Sequence, residues 1–163
     1  DHADSNYRMA RETLLDHVPL PDANIHRIRA ELPPLEAAAA YESNLRAFFA
    51  GADVPRFDLV LLGMGDDGHT ASLFPGAAAI HEMQHWVAAY KVGKLGAWRI
   101  TLTPPAINAA AQIVFLVAGA NKADRLKQVL QGPKQPDQLP SQIVQPASGD
   151  LLWLVDEAAA AAL

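Results

Sequence analysis

FDLVLLGMGDDGHTASLFPG, at residues 57–76, carries the strongest structural signal in the sequence. Its first six residues, 57–62, form a run that is apolar except for Asp58, which is typical of a strand buried on both faces. Glycines at positions 63, 65 and 68 then let the backbone turn sharply and approach a ligand closely. Open α/β sheets bind ligands at the carboxyl ends of their strands, so this turn is predicted to lie at a functional site.

Helix signals flank this stretch on its N-terminal side. Asp4 or Ser5 can cap a helix over residues 6–15, and an extended piece is predicted at 25–28. Pro33-Pro34 opens a second helix that stops at Gly51. The buried face of that helix is predicted to carry Leu35, Ala38, Tyr41, Leu45 and Phe48.

Strands and helices continue to alternate towards the C-terminus. Strands are predicted at residues 86–90, 98–103, 112–118 and 151–155, a helix at 121–130, and a final helix capped by Asp156. This alternation indicates an α/β fold with a mainly parallel sheet. A length of 163 residues suits one domain, so residues 1–163 are predicted to form a single α/β domain.

Composition excludes several classes of function. The net charge is -5 and no basic stripe occurs, which argues against a nucleic-acid partner. The longest apolar run is far too short for a membrane span. There is no cysteine, so disulfides and thiolate chemistry are ruled out and a reducing compartment is permitted.

Three motifs bear on function, and the glycine–histidine turn is the densest. His69 follows the glycines, at the mouth of the predicted site, where it can take a proton near neutral pH. The same glycines fit a dinucleotide-binding G-x-G-x-x-G pattern. Two features disfavour dinucleotide binding. Pro75-Gly76 would end the helix after the glycines too early, and Lys91 occupies the position where an acidic residue would bind the ribose.

The second motif, HEMQH at residues 81–85, matches the H-E-x-x-H pattern of zinc proteases. His85 is the last histidine of the chain, so a third histidine ligand cannot follow it. The helix that the pattern requires must also end abruptly at the strand predicted from Trp86. We therefore interpret the match as chance and predict no metal and no cofactor.

The third motif is LVAGANKAD at residues 116–124. A strand, a glycine turn and a helix N-terminus in this order form an anion site, because N–H groups point outward there. Lys122 adds a full positive charge in the first turn, where a cation is otherwise unfavourable. Its position indicates a bound anion, with a solvated surface lysine as the alternative.

The segment at residues 63–76 closely resembles the signature of the 6-phosphogluconolactonase family. The match continues in Asp4-Ser5-Asn6-Tyr7-Arg8, at residues 99–103, in Ile107-Asn108 and at residues 119–123, so it covers essentially the whole chain. The resemblance implies a three-layer α/β/α fold shared with glucosamine-6-phosphate deaminases and ribose-5-phosphate isomerases. Related deaminases typically continue Ile-Ala-Phe-Asn-Glu-Pro-Gly after the histidine, a glutamate that this chain lacks.

The resemblance also implies an activity, the cytoplasmic hydrolysis of 6-phospho-D-glucono-1,5-lactone in the oxidative pentose phosphate pathway. His69 is then the general base, Asp67 orients the turn or the imidazole, and Lys122 holds the phosphate. Backbone N–H groups at Gly65 and Gly68 are expected to bind the oxyanion. Weaker substrate-binding candidates are Arg99, Asn6 and Thr70. The alternatives are an amino-sugar phosphate deaminase or isomerase, and a non-catalytic sugar-phosphate-binding fragment.

One departure from the family concerns the N-terminus. Family members begin with a strand and a Ser-Gly-Gly-Ser-Thr type loop that cradles the phosphate, followed later by an Asp-Glu-Arg segment. Neither occurs in this sequence, which starts at Asp1. The resemblance therefore implies a fold that is incomplete at its N-terminus.

Overall fold

The computed structural model describes His2, residues 5–93 and residues 96–163. Asp4, one of the two predicted helix caps, lies outside these residues. In chain order the elements are α1 (Asn6–Thr13), α2 (Pro34–Phe48), β1 (Leu59–Gly63), β2 (Val87–Val92), β3 (Ala97–Leu102), α3 (Pro104–Asn108), β4 (Gln112–Val117), α4 (Ala123–Gln131), β5 (Asp150–Val155) and α5 (Glu157–Ala160). None of the helices in the described ranges is both long and apolar enough to cross a lipid bilayer.

A parallel sheet with the strand order β1-β4-β5 confirms the predicted α/β class. Val60 lies opposite Ile113, which in turn lies opposite Leu151, and the strands therefore end at a common edge. On one face Phe115 is fully buried and stacks on Trp153, with ring centroids 3.8 Å apart. This face forms the main core together with Val60, Leu62 and residues of α4 and α5.

The prediction that the first strand is buried on both faces is wrong for the described chain. Burial alternates along β1, because Val60 and Leu62 point into the core while Leu59 and Leu61 are 49% and 55% exposed. Register places further half-exposed leucines on the same side of the sheet. We call this side the leucine face: Leu59, Leu61, Leu116, Leu152 and Leu154. Apolarity on both sides of a strand shows that both sides suit burial, and the described residues cover one of them.

The strands predicted at 86–90 and 98–103 form a separate antiparallel pair, β2 and β3. Helix α2 packs on this pair through its buried residue Glu42. The Glu42 carboxylate accepts hydrogen bonds from the backbone N–H groups of Trp86 at 3.0 Å and Val87 at 3.1 Å, and from Arg46. An acidic side chain therefore connects α2 to the start of β2.

The predicted buried face of α2 is partly wrong. Ala38 and Leu45 are buried as expected, but Leu35 is 64% exposed and Phe48 is 75% exposed. The side of the helix that meets the hairpin carries Ala38, Leu45 and the buried Glu42. Hydrophobic periodicity placed the face incorrectly because the decisive contact is made by a buried carboxylate.

Helix boundaries follow local signals closely. Ser5 caps α1, accepting a hydrogen bond from the Arg8 N–H at 3.2 Å, and Asp156 caps α5 through the Ala159 N–H at 2.7 Å. Helix α1 ends at Thr13, and the predicted last turn becomes the 3₁₀ helix Leu15–His17. Residues 25–28, predicted to be extended, belong to no helix or strand, and Ile25 has an extended backbone.

Candidate active site

The loop after β1 is closed on itself by hydrogen bonds. The Gly65 N–H donates to the His69 carbonyl at 2.8 Å, and the Gly68 N–H donates to the Gly65 carbonyl at 2.9 Å. The Thr70 hydroxyl donates to the carbonyl of Gly63, the last residue of β1, at 2.9 Å. These bonds give the glycine-rich segment a defined shape at the carboxyl end of the strand.

These bonds also alter three sequence-based expectations. The N–H groups of Gly65 and Gly68, expected to bind an oxyanion, already donate within the loop. Thr70, expected to touch substrate, is fully buried, and its hydroxyl bonds back to the last residue of β1. The sequence could not show that these three residues shape the loop, and their contacts with a substrate stay predictions.

His69 and Asp67 form a hydrogen-bonded pair on this loop. The imidazole Nδ1 lies 2.6 Å from Asp67 Oδ1, and the backbone N–H of His69 donates to the same oxygen at 3.2 Å. An ionised carboxylate only accepts, so Nδ1 carries the proton in this pair and Nε2 is the basic nitrogen. About a quarter of each side chain is exposed, which leaves the imidazole accessible to a ligand.

Two neighbours restrict the imidazole. The ring of Phe74 stacks on it, with centroids 4.2 Å apart. On the other flank lies Gly65, where a Cβ would stand 2.1 Å from His69 Nδ1. Position 65 must therefore be glycine if the imidazole is to keep this position.

Lys122 reaches the same loop from the end of β4. Gly119, with φ of +100°, starts the turn, and its N–H donates to both carboxylate oxygens of Asp156 at 3.1 and 3.0 Å. The 3₁₀ helix Ala120–Lys122 then leads into α4. The Lys122 ammonium contacts Asp66 Oδ1, the oxygen that also accepts from the Asn121 amide at 3.0 Å.

The Asp66 carboxylate thus occupies the anion site that the sequence predicts at residues 116–124. The hydrogen bond from Lys122, followed by the charge of Lys122, holds the pKa of the Asp66 carboxyl below its ordinary value of 3.8. Arg125 adds a second cationic group, since its Nε donates to the Asp66 carbonyl at 3.1 Å. An incoming anion must compete with this carboxylate for the ammonium group.

The two predicted functional side chains meet consecutive residues. Lys122 contacts Asp66 and His69 contacts Asp67, at the common edge where β1 and β4 end. Consecutive Cα atoms are about 3.8 Å apart. The base and the ammonium group therefore both contact the loop that follows β1.

A cavity of about 530 Å³ opens beside Asp67. Tyr90, on β2, lines it with Asp67 and Phe74, and burial raises the pKa of the Tyr90 phenol. The Tyr90 hydroxyl donates to the Ser72 carbonyl, which fixes the loop against the hairpin. The lining is completed by residues 75–78 and 91–93.

Arg99 and Asn6 occupy peripheral positions. Arg99 lies opposite Tyr90 in the hairpin and donates to the Trp98 carbonyl at 3.1 Å. Asn6 is exposed at the first residue of α1. Within the described ranges, no hydrogen bond joins either side chain to residues 63–70, so their roles in substrate binding stay predictions.

The H-E-x-x-H segment does not form the helix that a zinc site requires. A 3₁₀ helix, Ala78–His81, ends there and the chain becomes extended at Glu82. Glu82 accepts from the N–H groups of Gln84 and His85. His81 pairs with Asp137 at 2.7 Å, while His85 lies 3.7 Å from Glu42, so the two histidines face different carboxylates.

Sequence reasoning missed three residues that hold the site. Asp66 contacts Lys122, Asp156 holds the Gly119 turn, and Ser141 donates to the Gly68 carbonyl. Two adjacent aspartates, Asp66 and Asp67, were a signal in the sequence that each carboxylate could pair with a different basic side chain. Nothing near Ser141 in the sequence indicates its contact, which spans 73 positions.

Comparisons with known proteins show which family this chain resembles. Residues 1–153 match the family described as glucosamine-6-phosphate isomerases/6-phosphogluconolactonase. The chain is 43% identical to a 6-phosphogluconolactonase of Homo sapiens over 98% of its own length and 62% of the relative's. It is 47% identical to one from a Nostoc strain, over 100% and 68%. The structure of a Trypanosoma cruzi 6-phosphogluconolactonase superposes with a TM-score of 0.83 at 30% identity, covering 100% of this chain and 67% of that one. The chain thus spans about two thirds of the length of these relatives.

Proposed function

Because this chain belongs to the glucosamine-6-phosphate isomerase/6-phosphogluconolactonase family, we propose that it carries the hydrolytic site for 6-phospho-D-glucono-1,5-lactone, which yields 6-phosphogluconate. The observation that carries the proposal is the placement of the His69–Asp67 pair and of Lys122 at one edge of the sheet. The reaction needs a base near an ester carbonyl and a cation near a phosphate. The loops after β1 and β4 supply one of each.

His69 acts as the general base in this proposal. Its Nε2 removes a proton from a water molecule as the water oxygen attacks the lactone carbonyl carbon. Asp67 keeps Nδ1 protonated and stabilises the imidazolium that forms. When the tetrahedral intermediate collapses, the bond to the ring oxygen breaks, and the imidazolium returns its proton to that oxygen. One water is consumed, and the product is a hydroxy acid.

Lys122 binds the phosphate in this proposal. The Lys122 side chain is 20% exposed and its ammonium group already contacts a carboxylate, so the site suits an anionic partner. A phosphate dianion brings more charge than Asp66 and can replace it. The guanidinium of Arg125, which lies against the same loop, supports the positive potential there. We also infer a cytoplasmic location, because a phosphorylated lactone does not leave the compartment in which it is formed.

The test is hydrolysis of the phosphorylated lactone, followed as acid release and corrected for the uncatalysed reaction. We expect faster turnover of the phosphorylated than of the unphosphorylated lactone at equal concentration. Release of ammonia from glucosamine 6-phosphate, without acid release from the lactone, would instead select the deaminase alternative. Binding of 6-phosphogluconate without either reaction would select a non-catalytic sugar-phosphate-binding role.

A further inference from the structure

Ser141 makes two hydrogen bonds to one carbonyl oxygen of the loop. Its backbone N–H and its hydroxyl each donate to the Gly68 carbonyl, both at 2.9 Å. Ser141 lies in the 3₁₀ helix Pro140–Ile143 and is 1% exposed. A segment far away in sequence therefore holds the peptide that immediately precedes His69.

That peptide is mechanically linked to the imidazole. The Gly68 carbonyl and the His69 N–H belong to one planar peptide group, so fixing the oxygen also fixes the direction of the N–H. The N–H donates to Asp67 Oδ1 at 3.2 Å, and the imidazole Nδ1 lies 2.6 Å from the same oxygen. Rotation of this peptide would withdraw the backbone donor that His69 provides to the Asp67 carboxylate.

The backbone conformation at Gly68 and its packing both require a glycine. Its φ of +83° lies in the left-handed region, which side chains disfavour. A Cβ at this position would stand 3.0 Å from Leu139 Cδ2, so the loop packs directly on the residues that precede Ser141. The 139–141 segment thus packs against the turn at Gly68 and bonds to it.

We propose that Ser141 is a positioning residue for His69, acting through the Gly68–His69 peptide and the Asp67 carboxylate; in its kinetic consequence this inference rests on the proposed function. Removal of the hydroxyl leaves the Gly68 carbonyl bonded to the Ser141 N–H, so no buried group loses its last partner. The loss of stability is therefore small, while the Gly68 carbonyl loses one of its two hydrogen bonds from Ser141. A purely structural serine would show no effect at the imidazole.

The first test reads the imidazole directly and needs no substrate. Histidine ¹⁵N chemical shifts, recorded where the rings are neutral, report which ring nitrogen carries the proton, and His69→Gln identifies the His69 signals. The wild type should show the Nδ1–H tautomer. Ser141→Ala should give a mixture of tautomers, and unchanged His69 signals in this variant would overturn the proposal.

Thr103→Val is the matched control. The Thr103 hydroxyl is likewise buried and donates to a backbone carbonyl, that of His85 at 2.6 Å, away from the loop. Thr103→Val should lower the melting temperature without altering the His69 signals. If it changed these signals as much as Ser141→Ala does, general destabilisation would be the cause. If Ser141→Ala does not fold, Ser141→Cys keeps the bulk with a weaker donor and should give the same mixture. Wild-type signals in Ser141→Cys would also overturn the proposal.

Kinetics form the second test. Ser141→Ala should lower kcat about five- to tenfold with KM within about twofold, because positioning acts on the chemical step. A rise in KM at constant kcat would contradict a positioning role. If the wild type shows no lactone hydrolysis, the proposed function fails, and the tautomer measurement still decides whether Ser141 controls His69.

Discussion

Asp67 accepts two hydrogen bonds from the same residue: its Oδ1 lies 2.6 Å from the His69 imidazole Nδ1 and 3.2 Å from the His69 backbone nitrogen. One carboxylate oxygen therefore restrains both the ring and the backbone of the proposed base. This double contact requires the tight turn that separates the two residues by a single glycine, Gly68. It gives the site its most specific mutational tests.

Replacement of His69 by Ala should lower kcat for the phosphorylated lactone by roughly 10²–10⁴-fold, the usual contribution of a positioned general base. The side chain is partly exposed, so the melting temperature should change little. His81→Ala is the matched control, because His81 also pairs with an aspartate but on another part of the surface. Turnover that is unaltered in His69→Ala would remove His69 from the mechanism.

Gly65→Ala should reproduce much of the His69→Ala defect while His69 is still present. The added Cβ would lie 2.1 Å from Nδ1, so the imidazole must leave its place beside Asp67. Gly63→Ala is the control, since a Cβ there meets its nearest neighbour, the Leu116 carbonyl oxygen, at 3.9 Å. We expect kcat to fall at least tenfold in the first variant and less than about twofold in the second. Equal kcat values would mean that the observed ring position is not needed.

Lys122 and Asp66 should have opposite effects on phosphate binding. Lys122→Ala should raise KM for the phosphorylated lactone by about tenfold or more and leave the unphosphorylated lactone unaffected. Asp66→Asn removes the competing carboxylate, so we expect a lower inhibition constant for inorganic phosphate. Steady-state kinetics with both lactones and with phosphate as inhibitor measure these effects. Weaker phosphate inhibition in Asp66→Asn would show that Asp66 supports the anion rather than competing with it.

Glu42 should make the fold sensitive to acid. Burial raises the pKa of this carboxyl, but hydrogen bonds from Arg46 and the Val87 N–H, with the Arg46 charge, outweigh it and bring the pKa below 4.5. Such a carboxylate stabilises the folded state above the unfolded-state pKa, and this contribution is lost as the pH falls through the lower folded-state pKa.

We therefore expect the free energy of unfolding to drop more steeply below about pH 4.5 in the wild type than in Glu42→Gln. Urea denaturation followed by circular dichroism at a series of pH values measures this difference. Identical slopes for the two proteins would show that Glu42 does not contribute. At neutral pH the variant should be less stable, because Glu42 accepts from two buried backbone N–H groups.

Local signals predicted the fold well where the chemistry is itself local. Ser5 and Asp156 cap helices because their side-chain oxygens reach N–H groups three residues ahead, and Pro34 opens α2 because its φ suits a first helical turn. The glycine–histidine turn was placed correctly at the end of β1 for the same reason. Each of these signals is contained in a few consecutive residues.

Long-range contacts could not be predicted in this way. The burial of Glu42 on α2 was not expected, because its partners lie 44 and 45 residues away in the hairpin. The Asp66–Lys122 and Gly68–Ser141 contacts likewise join segments more than 50 residues apart. Thr70 was expected to touch substrate because of its neighbours in sequence, yet a side chain's direction depends on the packing around it.

The leucine face leaves apolar side chains of the sheet exposed to water, so they contribute less to stability than buried leucines do. Full burial of a leucine is worth about 1.5–3 kcal/mol, so five half-exposed ones forgo on the order of 4–8 kcal/mol. That is comparable with the whole stability of an ordinary domain, about 5–15 kcal/mol. Covering this face would therefore stabilise the sheet whose strand ends carry the loops of His69 and Lys122.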